Sequence, residues 1–501
     1  MNEKNIEPQT ALVKGLGEWG LAAGRFYQSS QTGFVHLYQG EKEQQAQTIP
    51  LLENVLFVLA LFRSRTIEQV QEAKKLLRHL LAFQNKHASE SEGNFPIYQH
   101  EFPVCRDYAI ALQMLAPMYW ILKHFGHVLG AELKHQLEEA ARLALSFSLN
   151  LHQEVPFSYP LSVRLFAAQW TLGILWEKEP MQYEGKNELE LLSQQQLEGW
   201  NTTRHLADIL IGLQMVYPVI SKSPWAPLWQ TINQTWHSAL ASYAGPCVRE
   251  WQEGSEPQVN LYDLFGGYFS GKFSDRAARL NPMHLFGLLI QPSSERFTEM
   301  AYPFKVEGII RNQRWILKGY SDFACMLLEK KGPFQPTVDK THTSFRFMWG
   351  DLHGLHSLVC QGGNVETIQF SEMENTVLMD FELREWPIEE QGMPKSEIEF
   401  FVDYQPGVNF RFNGVAASTF ALDQEIELNL VEHQMLISFQ LIDGEGDFIG
   451  HIMRGNRPSQ ISLKGDKRFH SYDWTFFLRT IRRKNKCKIR ATITLPIAKD
   501  V

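Results

Sequence analysis

Apolar residues recur every three or four positions from Leu51 to Leu289. This spacing places them along one stripe of a helix, so the pattern predicts a series of α-helices. Gly, Pro and polar clusters interrupt the series, which predicts helical hairpins. Several helices are apolar on more than one face and therefore pack on both sides, as in a ring of paired helices. The predicted helices are residues 51–62, 67–83, 108–125, 131–149, 163–176, 205–217, 225–243 and 282–289.

The pattern changes after Pro303 to short runs that alternate in polarity and are rich in β-branched and aromatic residues. Such runs predict β-strands, and the turn-type residues between them predict an antiparallel β-sandwich. The Gly-rich segment 444–458 and the basic run 482–486 are interpreted as turns. The predicted strands are residues 306–318, 323–328, 343–349, 356–361, 365–370, 398–404, 407–412, 426–431, 435–442, 460–464, 474–481 and 488–495.

These patterns predict an N-terminal extension over residues 1–50, an incomplete α/α toroid over 51–300 and a large antiparallel β-sandwich over 301–501. A chain of 501 residues is long enough for two or three domains. We expect any ligand to bind in a cleft where the two large domains meet, because domain junctions often carry such sites.

Charge and cysteine usage exclude several classes of function. The net charge is -8, so we expect no general affinity for nucleic acid or for an anionic membrane. The five cysteines are scattered without a C-x-x-C spacing, which argues against a disulfide framework or a zinc finger. The first residues lack the features of a secretory signal, and no apolar run reaches the ~20 residues that span a bilayer. A cytoplasmic location is the default expectation, with signal-less secretion as the alternative.

Polar residues cluster just before one of the predicted helices. Trp200-Asn201-Thr202-Thr203-Arg204-His205 precedes an apolar run that contains Gly212 and stops at Pro218. About fifty residues later, Glu253-Gly254-Ser255 is followed by Tyr262 and Tyr268. The chain thus offers an amide, a cation, an imidazole and two phenols in two neighbouring segments.

In their order, these segments resemble the heparinase II/III-like and related alginate-lyase-type polysaccharide lyases, which combine an α/α toroid with a β-sandwich. In that family a helix opens with Asn-Asn-His, and here His205 matches the His and Arg204 stands at the adjacent Asn, with Asn201 one turn away. Glu253-Gly254 resembles the family's Asp-Gly pair, and Tyr262 resembles the Tyr that follows it. The resemblance implies a lyase that acts on an acidic polysaccharide or oligosaccharide.

Eliminative cleavage of a uronate polymer requires three groups: one that neutralises the carboxylate, a base that takes the adjacent proton and an acid for the leaving oxygen. We predict that Asn201 and Arg204 bind the carboxylate and that His205 is the base. Tyr262 is the predicted acid, with Tyr268 as its substitute. A phenol has a pKa near ~10, so a basic role for either Tyr requires a nearby cation such as Arg276.

Each of these residues also has a purely structural interpretation. His205 at a helix start is a candidate cap or packed polar group, and Asn201 is a candidate N-cap. Tyr262 and Tyr268 alternate with phenylalanines at helical spacing, which is typical of core aromatics.

Aromatic and metal-binding candidates complete the prediction. Trp200 and Trp251 border loops, where an indole ring can stack on a sugar. No cofactor is expected. A metal bound by Asp351, His353 and His356 is a minority possibility, because residues three apart in a strand point to opposite faces.

Two alternatives to a lyase remain open. One is a glycan-binding or host-interaction protein that has kept the scaffold without catalysis. The other is a glycoside hydrolase, which needs two carboxylates about 5 to 10 Å apart. The candidate carboxylates are Asp107, Asp208, Glu253, Glu256 and Asp263.

Overall fold

The structure is a computed structural model that describes most of the chain. The described residues are 6–39, 46–195, 202–217, 222–246, 260–275, 277, 280–293, 295–332, 342–350, 354–361, 365–385, 395–403, 405–416, 418–458 and 472–497. They form two units. One comprises Met1–Trp200, Arg204–Gln230 and Asn260–Phe297, and the other comprises Asn201–Thr203, Thr231–Val259 and Thr298–Val501.

Helices dominate the N-terminal part of the chain. They are α1 (Ile6–Tyr27), α2 (Leu51–Ser64), α3 (Ile67–Leu81), α4 (Ile110–Leu129), α5 (Ala131–Glu154), α6 (Tyr159–Leu175), α7 (Glu179–Ser193), α8 (Thr203–Val216), α9 (Ala226–Thr235), α10 (Leu261–Ser270) and α11 (Met283–Gly287), with 3-10 turns at Gln99–Glu101 and Ser223–Trp225. None of the helices in this described part is long and apolar enough to cross a membrane.

The central helices are buried on nearly all sides, as their sequence pattern predicts. In α2 every residue from Val55 to Phe62 is buried, and α4 is buried almost as completely. Phe62 of α2 stacks on Phe125 of α4 with ring centroids 5.4 Å apart. Helices of this kind pack against neighbours on both sides, so the predicted arrangement of paired helices is confirmed.

Some helical predictions are wrong in detail. Helices α1 and α7 were not predicted. Four glycines interrupt the pattern of α1, whereas many charged and polar residues weaken that of α7. The predicted helix over 225–243 ends at Thr235, and a small hairpin of β3 (Trp236–His237) and β4 (Ser242–Tyr243) follows. Ala241 turns this hairpin with a positive φ of 44°, a conformation that does not continue a helix.

The C-terminal part forms an antiparallel sheet of fourteen described strands. Its members are β5 (Phe304–Ile310), β6 (Gln313–Gly319), β7 (Phe323–Leu328), β8 (Thr343–Gly350), β9 (Leu355–Gln361), β10 (Val365–Met373), β11 (Thr376–Leu383), β12 (Lys395–Val402), β13 (Asn409–Phe412), β14 (Val415–Ala416), β15 (Thr419–Phe420), β16 (Glu425–Asn429), β17 (Gln434–Pro458) and β18 (Tyr472–Thr494), and β1 (Leu37–Gln39) pairs with β2 (Ala46–Thr48) elsewhere. The predicted order of a helical domain followed by antiparallel β-structure is confirmed.

Two long strands replace the turns predicted near the C-terminus. Strand β17 has 25 residues and pairs with β18, which has 23. The Gly- and Asp-rich stretch of β17 shifts register at Leu441/Asp443 and at Asp443/Glu445, so these residues form bulges within a strand and do not reverse the chain. The predicted strand 460–464 lies outside the described residues.

The basic run 482–486 also lies within a strand, and the prediction of a solvated turn is wrong. Side chains alternate across a strand, so Arg482 and Lys484 are exposed while Arg483 is buried. The Arg483 side chain is 2% exposed and forms an ion pair with the buried Glu397 of β12 at 3.1 Å.

Candidate functional site

The first turn of α8 carries the polar residues singled out in the sequence. Arg204 is exposed and His205 is partly buried. Behind them, Leu206, Ile209 and Leu213 are fully buried. The helix therefore presents polar groups at its start and packs its remaining length into the core.

An ion pair fixes this helix to its neighbours. Arg164 of α6 donates from Nη1 to Oδ1 of Asp208 over 2.6 Å, and its Nη2 donates to the carbonyl of Gln113 in α4 over 3.4 Å. Both charged side chains are largely buried, at 7% and 15% exposure. Gly212 allows a close approach to α6, since a Cβ at this position would lie 3.0 Å from the Val163 carbonyl oxygen. The position of His205 is thus determined by contacts one and two turns further along α8.

Helix α10 carries both candidate phenols. Asn260 caps it by accepting hydrogen bonds from the backbone N–H groups of Tyr262 and Asp263 at 2.8 and 3.2 Å. Asp263 closes the capping box by accepting from the Asn260 N–H at 2.9 Å. Tyr262 and Tyr268 are each 0% exposed. Both rings lie in the core, in agreement with the interpretation of their helical spacing as that of core aromatics.

The Tyr268 hydroxyl has a structural partner, because it accepts a hydrogen bond from the Ser293 N–H at 2.7 Å. Arg296 lies over its ring, 5.1 Å from the centroid. Burial raises the pKa of Tyr268 above its ordinary value, with the Ser293 contact and Arg296 opposing the rise. At neutral pH this phenol is therefore protonated and cannot act as a base.

Several predicted site residues lie outside the described part of the chain. These are Trp200, Asn201, Trp251 and Arg276, together with Asp351 and His353 of the minority metal site. Within the described residues, no group of three or more His, Cys, Asp and Glu side chains is arranged to hold a metal ion.

His356 belongs to a histidine–carboxylate pair that the sequence did not reveal. Its Nδ1 lies 2.6 Å from Oδ2 of Asp403, and the two side chains are 19% and 0% exposed. The ring packs 5.7 Å from Trp349, its register partner on β8. A buried carboxylate on Nδ1 fixes the tautomer of an imidazole and leaves Nε2 for proton transfer.

A cavity of about 330 Å³ in the helical unit does not suit an acidic ligand. It lies between the loop at residues 89–92 and α5, and three carboxylates, Glu90, Glu92 and Glu154, line it. Since like charges repel, this lining disfavours a carboxylate or sulfate group.

Two lyases of known structure are similar to this chain. Heparinase III aligns with a TM-score of 0.55 at 10% sequence identity, covering 97% of this chain and 85% of that one. The Streptomyces coelicolor A3 chondroitin AC lyase, solved in complex with chondroitin sulphate, aligns with a TM-score of 0.50 at 9% identity, covering 98% and 80%. No family model matches this sequence, and no curated protein matches it.

The chain has a polysaccharide-lyase-like fold. The likeness confirms the family resemblance and the fold class predicted from the sequence, an α/α toroid followed by an antiparallel β-sandwich. At about one identical residue in ten it concerns the fold alone, and function has to be argued from the side chains.

The carboxylates proposed for a hydrolase have structural roles on this lyase-like scaffold. Asp208 pairs with Arg164, Asp263 closes the cap of α10, and Asp107 accepts from the Ala109 N–H at 2.8 Å just before α4. Glu253 and Glu256 lie outside the described residues. None of the three described carboxylates therefore favours glycoside hydrolysis.

Proposed function

We propose that this protein is a polysaccharide lyase that cleaves an acidic, uronate-containing glycan by β-elimination. The observation that carries the proposal is the first turn of α8, where an exposed cation, Arg204, precedes a partly buried imidazole, His205. The lyase-like fold supports it. One of the similar structures is a complex with chondroitin sulphate, a glycan of the proposed class.

In the proposed reaction, Arg204 and Asn201 hold the uronate carboxylate and withdraw charge from it. His205 takes the proton from the carbon next to that carboxylate, and the released electron pair forms the new carbon–carbon double bond. The bond to the leaving oxygen then breaks, and that oxygen takes a proton from Tyr262. Neutralising the carboxylate matters because charge develops on it in the transition state.

His356, in the other unit, is an independent candidate for proton transfer. Its pairing with Asp403 at 2.6 Å gives it the orientation that a general base requires. We assign it the task of moving a proton at a substrate group, with Asp403 as a positioning residue. Variants of His356 and of His205 separate the roles of the two imidazoles.

A non-catalytic glycan-binding protein on the same scaffold is the second candidate function. The observation that favours it is the complete burial of Tyr262 and Tyr268, because an acid must reach the leaving oxygen. Under this alternative Arg204 still binds the glycan carboxylate, and no bond is broken.

The test is an assay for the unsaturated sugar that elimination creates, followed by its ultraviolet absorbance. If Tyr262 is the acid, Tyr262→Phe lowers the rate at least about a hundredfold, and His205→Ala does the same for the base. Tyr268→Phe is the matched control. It removes a hydroxyl from the same helix, and the partner of that hydroxyl is the Ser293 amide. Full activity in both Tyr262→Phe and His205→Ala would refute the site assignment.

A further inference from the structure

A cluster of basic residues lies where the end of α2 meets α4. We call Arg63, Arg65, Lys123 and His124 the basic cluster. Arg65, Lys123 and His124 are exposed, and Arg63 is partly buried. Among the described residues, none of the four forms an ion pair with a carboxylate. The cluster therefore carries about three uncompensated positive charges at neutral pH.

Aromatic side chains hold two members of the cluster, Lys123 and His124, in place. Lys123 donates to the Tyr119 hydroxyl at 2.9 Å, and its Nζ lies 5.1 Å from the Trp120 ring centroid. The His124 ring stacks on Trp120 with centroids 5.3 Å apart and planes only 7° from parallel. These two side chains are thus ordered by packing on the aromatic rings.

Two buried donors in this region have no acceptor. The Nη1 of Arg63 and the Nε1 of Trp120 are both shielded from solvent and make no hydrogen bond with any described residue. A buried donor without a partner is costly, and native structures usually supply it with a water or an ion. Donors without acceptors, next to several cations, suit a ligand rich in acceptors.

The local charge acts on the nearby imidazole. Burial lowers the pKa of His124 to about 4, and the positive charges of Lys123, Arg63 and Arg65 add to the effect. At neutral pH the ring is uncharged and its exposed face is suited to stacking on a sugar.

The backbone at Arg65 is unusual for the residue that occupies it. Arg65 ends α2 with a φ of 58° and a ψ of 15°, the left-handed conformation that Gly or Asn adopts more easily. Its side chain therefore occupies a position where glycine would be the more stable choice. Strain of this kind at a charged residue is typical of a functional position.

We propose that the basic cluster is a second glycan-binding subsite that takes a carboxylate or sulfate group of an acidic oligosaccharide. The choice of a glycan rests on the proposed function, whereas the preference for an anion rests on the unpaired cations and donors alone. The overall charge of -8 disfavours a long polyanion such as nucleic acid, but a compact cluster is sufficient for one or two anionic groups.

The subsite is tested by binding a chondroitin sulphate hexasaccharide to the full chain, with Arg65→Gly and Lys123→Gln as the variants. We expect each variant to weaken binding about tenfold, since each removes one charge-assisted contact. Arg65→Gly is also expected to raise the melting temperature, because glycine suits the left-handed end of α2. A variant that is more stable yet binds more weakly cannot owe its defect to misfolding.

Lys186→Gln is the matched control, because it removes one positive charge from an exposed pair with Glu190 in the same unit. Equal weakening by this control, or unchanged binding in both cluster variants, would overturn the subsite. Inorganic sulfate and a single-stranded DNA oligonucleotide are the comparison probes. Cluster-dependent binding of either one without binding of the hexasaccharide would overturn the glycan as its occupant.

The elimination assay run on the same variants distinguishes the two proposals. Cluster-dependent binding without any unsaturated product would leave the subsite standing and refute the lyase. Product formation with cluster-independent binding would support the lyase and refute the subsite.

Discussion

Arg164 and Asp208 form a largely buried ion pair at 2.6 Å that ties α8 to α6. Asp208 lies one turn after His205 and Arg204, so the pair holds the part of the helix that supports the candidate site. Removing one partner of a buried pair is costly because the other charge is left uncompensated.

We expect Asp208→Asn to lower the free energy of unfolding by about 3 kcal/mol. Chemical denaturation of the variant measures this loss. The exposed pair between Lys186 and Glu190 supplies the control, and Glu190→Gln should change stability by less than about 0.5 kcal/mol. Loss of activity in Asp208→Asn with unchanged stability would instead indicate a catalytic carboxylate. That result would support the alternative of a glycoside hydrolase.

The pair of His356 and Asp403 predicts a coupled effect on rate. We expect His356→Ala to lower the turnover number about a hundredfold, and Asp403→Asn to lower it about tenfold with KM unchanged. Because Asp403 acts through the imidazole, it should have no further effect in the His356→Ala background. Steady-state kinetics of the two single variants and the double variant measure this coupling.

A further loss on adding Asp403→Asn to His356→Ala would show that the carboxylate acts independently of the histidine. The pH dependence of the rate provides a second readout. It should change in Asp403→Asn if the carboxylate orients the proton-transfer group, and should stay the same if Asp403 only stabilises the fold.

Adjacent arginines of β18 should differ sharply in their contribution to stability. Arg483→Met leaves Glu397 buried without its cation and is expected to cost about 3–5 kcal/mol. Arg482→Met removes a side chain that is 82% exposed and pairs with Asp447 at the surface, so it should cost less than about 0.5 kcal/mol. Equal losses in thermal unfolding would contradict the alternation observed along this strand.

His237 should make the protein less stable in mild acid. Burial lowers its pKa to about 4 in the folded chain, against 6.5 in the unfolded chain. Between these values only the unfolded chain binds the proton. Stability from this residue is therefore complete above pH 6.5 and falls by about 3 kcal/mol as the pH drops to 4.

Urea unfolding as a function of pH tests this expectation. His237→Gln cannot titrate and should show a flatter fall in stability between pH 6.5 and 4. The exposed His127 supplies the matched control variant, His127→Gln. An unchanged slope in His237→Gln would show that the ring is not buried in its neutral form.

Local patterns predicted the helices better than the longest strands. Helix α8 was placed within two residues of its bounds, because polar residues precede its apolar run and Pro218 follows it. The strands β17 and β18 were divided into shorter ones for different reasons. Gly and Asp in a bulge of β17 have the same composition as a turn, whereas the basic run 482–486 of β18 has the composition of a solvated turn.

The candidate site was predictable only where its residues are close in sequence. Arg204 and His205 share one helical turn and were found together. His356 and Asp403 are 47 residues apart, and Arg164 and Asp208 are 44 apart, so only the folded chain brings each pair together. The burial of Tyr262 was open to two interpretations, because helical spacing of aromatics is typical of both a core and a cleft wall.

The most direct test of the lyase proposal is to incubate the purified protein with chondroitin sulphate, heparan sulphate and alginate and to follow ultraviolet absorbance and product mass. Elimination predicts rising absorbance and a product lighter by one water than the hydrolysis product, with the rise lost in His205→Ala. No absorbance change with any polymer, or a product carrying the added water, would contradict the account.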